Sequence, residues 1–227
     1  MDMTPERWNF TSAYLREVFG SADVQLQTLM SRAVAAGLPD IAVSADVGRL
    51  LMMLTGMTGN GAGAKLAIEV GTLGGYSGIW IARGLAPGGR LITIEPKPKH
   101  ADFAEREFAT AGVADAVEVR RGTGIDLLPR LAAELGDASV DVVFLDALKY
   151  EYPDYFEAIR STIAPGGLLI ADNVLGSNQW WIDEPAGRNR DRDGADRLNR
   201  MLAADPDFEA VALPIREGVL VARRTRK

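Results

Sequence analysis

A Rossmann-like, doubly wound α/β domain with a mostly parallel seven-stranded sheet is the fold class that three features of this sequence predict. From about Lys65 onward, short aliphatic or β-branched runs alternate with longer amphipathic segments, as repeated βαβ units require. Two of the runs, Val142–Leu145 and Leu168–Ala171, are apolar without alternation, which marks strands covered on both faces. The last two, Phe208–Leu213 and Val219–Arg223, flank Pro214-Ile215-Arg216-Glu217-Gly218. That spacing closes the sheet with an antiparallel C-terminal hairpin.

The first 60 residues read as extra N-terminal helices, Trp8–Phe19, Val24–Ala36 and Ser44–Met57, broken at Gly20, Gly37-Leu38-Pro39 and Gly59–Gly63. Ser44 stands where an N-cap would. Region 1–60 is expected to pack on the core, to form a dimer contact or to cap a ligand cleft, and 61–227 to be the core of one structural domain. Within it the predicted strands are Lys65–Val70, Arg90–Glu95, Ala116–Arg120, Val140–Asp146 and Leu168–Asp172. The helices are Tyr76–Arg83, Lys99–Thr110, Gly124–Glu134, Tyr152–Ile163 and Gly194–Ala204.

Composition narrows the function. The chain has 227 residues, 25 Lys+Arg against 31 Asp+Glu, and a net charge of −6, a balance that disfavours general binding to nucleic-acid backbones. No cysteine is present, so disulfides, thiolate zinc sites and cysteine nucleophiles are excluded. His100 is the single histidine, too few for a histidine-rich metal site. The longest apolar run, Leu50–Leu54, falls far short of the roughly 20 residues of a bilayer span. Met1–Phe10 carries Asp2 and Glu6 and no apolar core, unlike a signal peptide. A cytoplasmic protein without membrane contact is the expectation.

Two constellations carry chemistry. Glu69-Val70-Gly71-Thr72-Leu73-Gly74-Gly75-Tyr76-Ser77 follows the first strand and opens a helix, where glycines let backbone approach a ligand and free N–H groups point at it. An ordinary tight βα turn would look similar. Glu95 ends the next strand, where nucleotide folds use an acid on ribose hydroxyls. Glu69 beside the glycines would repel a pyrophosphate, which favours S-adenosylmethionine, with its ammonium and sulfonium charges, over NAD. The second constellation, Asp146 with Lys149 and Asp172-Asn173, sits at the ends of the fourth and fifth strands, where open parallel sheets bind ligands. Two carboxylates and an amide oxygen suit Mg²⁺, although each is also a common turn residue.

Glu69–Ser77, Glu95, Asp146-x-x-Lys149 and Asp172-Asn173 together resemble the cation-dependent O-methyltransferases, the family of catechol and caffeoyl-coenzyme A O-methyltransferases, from about Pro39 to Arg223. The resemblance implies that Val43, Glu69, Gly71 and Ser77 hold the methionine end of S-adenosylmethionine, with Tyr76 in the same element and Asp146 also near the cofactor. It implies that Glu95 takes the ribose, and that Thr123 and Gly124 lie by the adenine. Asp146, Asp172 and Asn173 fall on the family's metal ligands and Lys149 on its catalytic lysine. The implied reaction moves a methyl group to a hydroxyl of a small-molecule acceptor, most simply a catechol-like vicinal diol on a divalent ion that lowers the hydroxyl's pKa. Small relatives also imply a homodimer.

The sequence departs from the family after Asn173, where Trp180 and Trp181 replace a glycine-valine turn, and at Glu217-Gly218, where relatives carry Asp-Gly. The tryptophans could stack on an aromatic acceptor or simply cover the core. Arg188–Arg200, with five arginines and three aspartates, reads by default as a solvated loop. A sugar, a natural product or a hydroxylated tRNA base stays open as the acceptor, as do a metal-independent enzyme and a cofactor-binding protein without catalysis.

Overall fold

Three helices lead into the sheet in the computed structural model, which describes residues 4–19 and 24–225. They are α1 (Pro5–Phe19), α2 (Val24–Ala35) and α3 (Ala45–Gly61). Alternation follows: β1 (Ala64–Val70), α4 (Tyr76–Arg83), β2 (Leu85–Glu95), α5 (Pro98–Thr110), β3 (Val117–Arg121), α6 (Gly124–Leu135), β4 (Val140–Leu145), α7 (Tyr152–Ile159) and β5 (Ile163–Asp172). The chain closes with α8 (Arg190–Ala204), β6 (Phe208–Leu213) and β7 (Val219–Arg224). The strand order is β3-β2-β1-β4-β5-β7-β6. β7 runs antiparallel to β5 and β6, and the other pairs are parallel. This is the doubly wound α/β architecture with its C-terminal hairpin.

Both faces of the sheet are covered, which is why β1, β4 and β5 carry apolar residues in runs. On one face Leu128, Tyr152, Tyr155, Phe156, Leu198 and Leu202 bring α6, α7 and α8 onto the strands. On the other, Leu29, Val47, Leu51, Ile79, Trp80 and Phe108 bring α2 to α5. α3 therefore belongs to the core packing. A Cβ on Gly48 would stand 2.3 Å from the Trp80 indole, so α3 approaches α4 at a residue without a side chain. α1 lies outside this layer and exposes Phe10, Tyr14 and Val18, one apolar stripe at i, i+4, i+8.

Several boundaries differ from the sequence expectation, each for a local reason. β2 and β5 begin about five residues earlier than expected, because they absorb Leu85-Ala86-Pro87-Gly88-Gly89 and Ile163-Ala164-Pro165-Gly166-Gly167. Register shifts between Ala64 and Leu66 and between Val140 and Val142 accommodate them, as bulged strands do. The helix expected to reach Ile163 ends at Ile159. Ser44 occupies the N-cap position of α3 but makes no capping hydrogen bond, and its Oγ is buried without a partner. The regular part of α3 stops at Thr58 (φ −69°, ψ 174°). Most of Arg188–Arg200 is helix rather than solvated loop: Asn189 Oδ1 accepts from the amides of Asp191 and Arg192 and caps α8. Arg192 is buried there, paired with Asp193 and Asp196 and donating to the Ile182 carbonyl. The break expected at Gly20 lies outside the described residues.

Candidate active site

β1 and β4 are neighbours, yet the helices that follow them cover opposite faces. Such a reversal opens a crevice at the carboxyl ends of the strands. A cavity of about 310 Å³ lies there, and Val43, Gly71, Tyr76, Ser77, Glu95, Asp146, Lys149 and Asn173 are all in its wall. Eight residues singled out from the sequence are thus brought to one place.

Glycine makes the closure possible. Gly71 follows β1 with φ +106°, and a Cβ on it would meet the Asp146 carbonyl at 2.3 Å. Gly75 takes φ +84° at the N-cap of α4. Of the five non-glycine residues with positive φ among those described, Leu73, Asn173 and Arg216 surround the strand ends. Asparagine tolerates this region; leucine and arginine adopt it at a cost of about 1–3 kcal/mol, which the surroundings must sustain. Leu73 in this conformation donates its amide to Glu95 Oε2 at 2.9 Å. The Lys97 amide donates to Glu95 Oε1 at 3.0 Å, so the acid is held rigidly with its edge in the cavity.

Glu69 is fully buried beneath the cavity wall. Its Oε1 accepts from Ser77 Oγ and its Oε2 from Thr93 Oγ1, both at 2.6 Å, and Thr93 in turn meets Thr72 Oγ1 at 2.6 Å. Burial pushes this carboxyl up to about 7, while the hydroxyl donors Ser77 and Thr93 oppose the rise. Glu69 thus reaches the cavity through Ser77.

Around the second constellation, Lys149 Nζ lies 2.9 Å from Asp146 Oδ1. Burial alone would depress the lysine, but the charges of Asp146 and Asp172 prevail and hold its pKa above the ordinary lysine range. Asp172 is 1% exposed and stands behind the cavity wall. Burial and the Asp146 charge push it up to about 7, against the pull of Arg216 and Lys149. Its Oδ1 has no hydrogen-bond partner. Asn173 adopts φ +56°. Among the described residues no group of three or more His, Cys, Asp or Glu could hold a metal; the candidate trio here is two carboxylates and an amide.

The remaining candidates lie apart. Thr123 caps α6, its Oγ1 accepting from the Asp126 amide, and Gly124 packs against Val70 and Tyr155, with no room for a Cβ. Neither is in the cavity wall. Trp180 is buried, whereas Trp181 is 41% exposed, lies over Gly176 and borders a second cavity of about 330 Å³ with Trp8, Asp46 and Arg216.

Three residues near the site escaped sequence reasoning. His100, buried on α5, lies with Nδ1 3.4 Å from Glu95 Oε1; burial lowers its pKa from the usual 6.5 despite that acid. The Tyr152 hydroxyl reaches the carbonyls of Leu145 (2.9 Å) and Asp172 (3.1 Å), bridging the ends of β4 and β5. Arg216 reaches Asp172 from the hairpin turn. Only Arg216 carries a legible signal, a charge in a Pro-to-Gly turn.

The geometry has close counterparts. The sequence model of a family described as O-methyltransferase matches residues 16–225. A catechol O-methyltransferase of Niastella koreensis is 38% identical over 203 residues, 88% of this chain and 87% of that protein. The crystal structure of an O-methyltransferase from Bacillus cereus in complex with SAH superposes with a TM-score of 0.86 at 34% identity, covering 97% of this chain and 99% of that one. The O-methyltransferase TomG from Streptomyces achromogenes, involved in tomaymycin synthesis and solved with SAM, gives 0.85 at 35% identity, over 99% and 100%. With a family match over nearly its whole length and the glycine turn, ribose-type acid and acidic strand ends converging on one cavity, the chain belongs to the S-adenosylmethionine-dependent O-methyltransferases.

Proposed function

We propose that this chain methylates one hydroxyl of a catechol-like vicinal diol, with S-adenosylmethionine as donor, a divalent cation, most simply Mg²⁺, held by Asp146, Asp172 and Asn173, and Lys149 as base. The observation that carries the cation reading is Asp172 Oδ1, a buried carboxylate oxygen without a hydrogen-bond partner at the end of the strand beside Asp146. Buried acceptors are rarely left so, and an all-oxygen donor set suits a hard cation. Bound there, such an ion would make a diol hydroxyl more acidic.

The protein's own groups do the rest. Val43, Gly71, Tyr76, Ser77 and Glu95 would hold the donor, Glu69 acting through Ser77 and Glu95 through the ribose. Thr123 and Gly124 would border the adenine. With a cation at Asp146 and Asp172, the charges that hold the Lys149 pKa high would be cancelled. Nζ could then take or steer the hydroxyl proton, and alignment of oxygen with the methyl group would supply roughly 7–11 kcal/mol of barrier reduction. Within 1–60, where α2 and α3 pack on the sheet, α1 would serve as cap and dimer region of a homodimeric, cytoplasmic enzyme.

A bulkier natural-product acceptor is the second reading. The cavity bordered by Trp8, Trp181 and Arg216 favours it, because it offers room beyond the strand ends. Turnover of catechols and larger diols, with and without EDTA, separates the two. Asp172→Ala should abolish Mg²⁺ binding and activity together. Lys149→Ala should lower kcat at least about tenfold while S-adenosylhomocysteine still binds, as for an interaction made mainly in the transition state. Turnover that survives EDTA would overturn the cation reading, and an unchanged kcat in Lys149→Ala would remove the base.

A further inference from the structure

We infer that Arg216 is a resident counter-ion that weakens divalent-cation uptake by Asp146 and Asp172, its charge opposing that of an entering ion. The inference rests on the proposal that these carboxylates hold a cation. It begins with register. β7 pairs with β5 so that Val219 is opposite Asp172, which sets the preceding turn directly over the buried carboxylate. Two tight hydrogen bonds shape that turn, Ile215 N to Leu213 O at 2.8 Å and Gly218 N to Ile215 O at 2.9 Å. Within it Arg216 takes φ +52°, a conformation that glycine would adopt freely and arginine adopts at a cost. A strained non-glycine residue beside a functional site is a reason to ask what its side chain does.

The side chain points inward. Arg216 Nη1 lies 3.7 Å from Asp172 Oδ2, while Nε lies 3.2 Å from Glu217 Oε2. Both Nη1 and Asp172 Oδ1 are buried, and neither has a hydrogen-bond partner. A guanidinium committed to a structural ion pair normally forms short, two-pronged bonds to its carboxylate, as Arg160 does with Asp205 here at 2.6 and 2.8 Å. Arg216 instead neutralises Asp172 from a distance and leaves one carboxylate oxygen open. Lys149 neutralises Asp146 directly, donating to Oδ1 at 2.9 Å. Arg216 and Lys149 thus offset two of the three carboxylate charges of Asp146, Asp172 and Glu217, and cation affinity at oxygen sites follows the charge of the ligands.

Uptake of Mn²⁺ by the full chain, followed by titration calorimetry and by the spin resonance of free Mn²⁺ without cofactor or acceptor, tests this. Arg216→Gly, which suits the backbone, and Arg216→Ala should bind Mn²⁺ at least about tenfold more tightly than wild type, because one opposing charge has gone. Arg216→Lys should stay close to wild type, and Asp172→Asn should lose the site. Should Arg216→Gly bind with wild-type affinity or weaker while Asp172→Asn abolishes binding, the counter-ion role falls and the cation site stands. Should neither wild type nor Arg216→Gly take up Mn²⁺, both fall.

Discussion

Glu69 is an acid that the fold keeps dry, and its protonation belongs to the stability of the molecule. Its carboxyl rises from an ordinary 4.5 to about 7 in the folded chain, so the native state binds that proton more tightly than the unfolded state does. The resulting stabilisation is complete below about pH 4.5, fades as pH rises towards 7, and is absent above. A shift of this size corresponds to an upper limit of about 3 kcal/mol. Asp172 shifts in the same direction, so Glu69→Gln should make the decline shallower without removing it. Urea midpoints at pH 4.5, 6 and 8 would measure this, and a slope identical to wild type would refute the assignment. Tyr152 is the other residue whose single group has wide reach. Tyr152→Phe should cost about 1–2 kcal/mol, since it removes a buried hydroxyl that serves two strand-end carbonyls. Equal urea midpoints for Tyr152→Phe and wild type would show that the bridge contributes nothing.

Among the elements, α8 decides where Lys149 stands. The short turn Lys149–Glu151 packs on it, and a Cβ on Gly194 would stand 2.4 Å from the Lys149 carbonyl and from Tyr150 Cα. Gly194→Ala should push helix and turn apart, destabilise by about 1–3 kcal/mol and lower kcat more than it alters S-adenosylhomocysteine affinity. Equal loss of both would argue against a specific effect on the turn. α8 also shows what sequence reading can miss. The helix expected from Gly194 begins at Arg190, and its first turn was missed because charge dominated the pattern, whereas the capping asparagine and the i, i+4 pair Arg192–Asp196 identify helix there. The strands and the cavity residues were legible because βα punctuation and strand-end acids are local features. His100, Tyr152 and the reach of Arg216 were not, because each depends on which element lands opposite it.

For the whole molecule, ligand and partner both bear on stability. S-adenosylhomocysteine should raise Tm by an amount that grows with the logarithm of its concentration above Kd, and Glu95→Ala should reduce that rise. The apolar stripe of Phe10, Tyr14 and Val18 on α1 suits a two-fold contact, the commonest closed assembly. Light scattering should therefore return about twice the chain's 24.4 kDa, and a mass near 24.4 kDa would count against the dimer.

The order β5-β7-β6 also has a consequence for how the enzyme matures. Asp172 lies at the end of a strand whose free edge is covered only by the antiparallel strand from Val219 onward. A chain still leaving the ribosome has β1 to β5 available while that edge is bare, and a bare edge invites pairing with other chains. Until β7 docks, Asp172 is unsealed from water and Arg216 has no fixed place over it. The acidic centre is thus born late, in the step that also covers one of the nascent sheet's two bare edges. Substitutions in the Pro214–Gly218 turn should then show themselves in soluble yield as well as in catalysis.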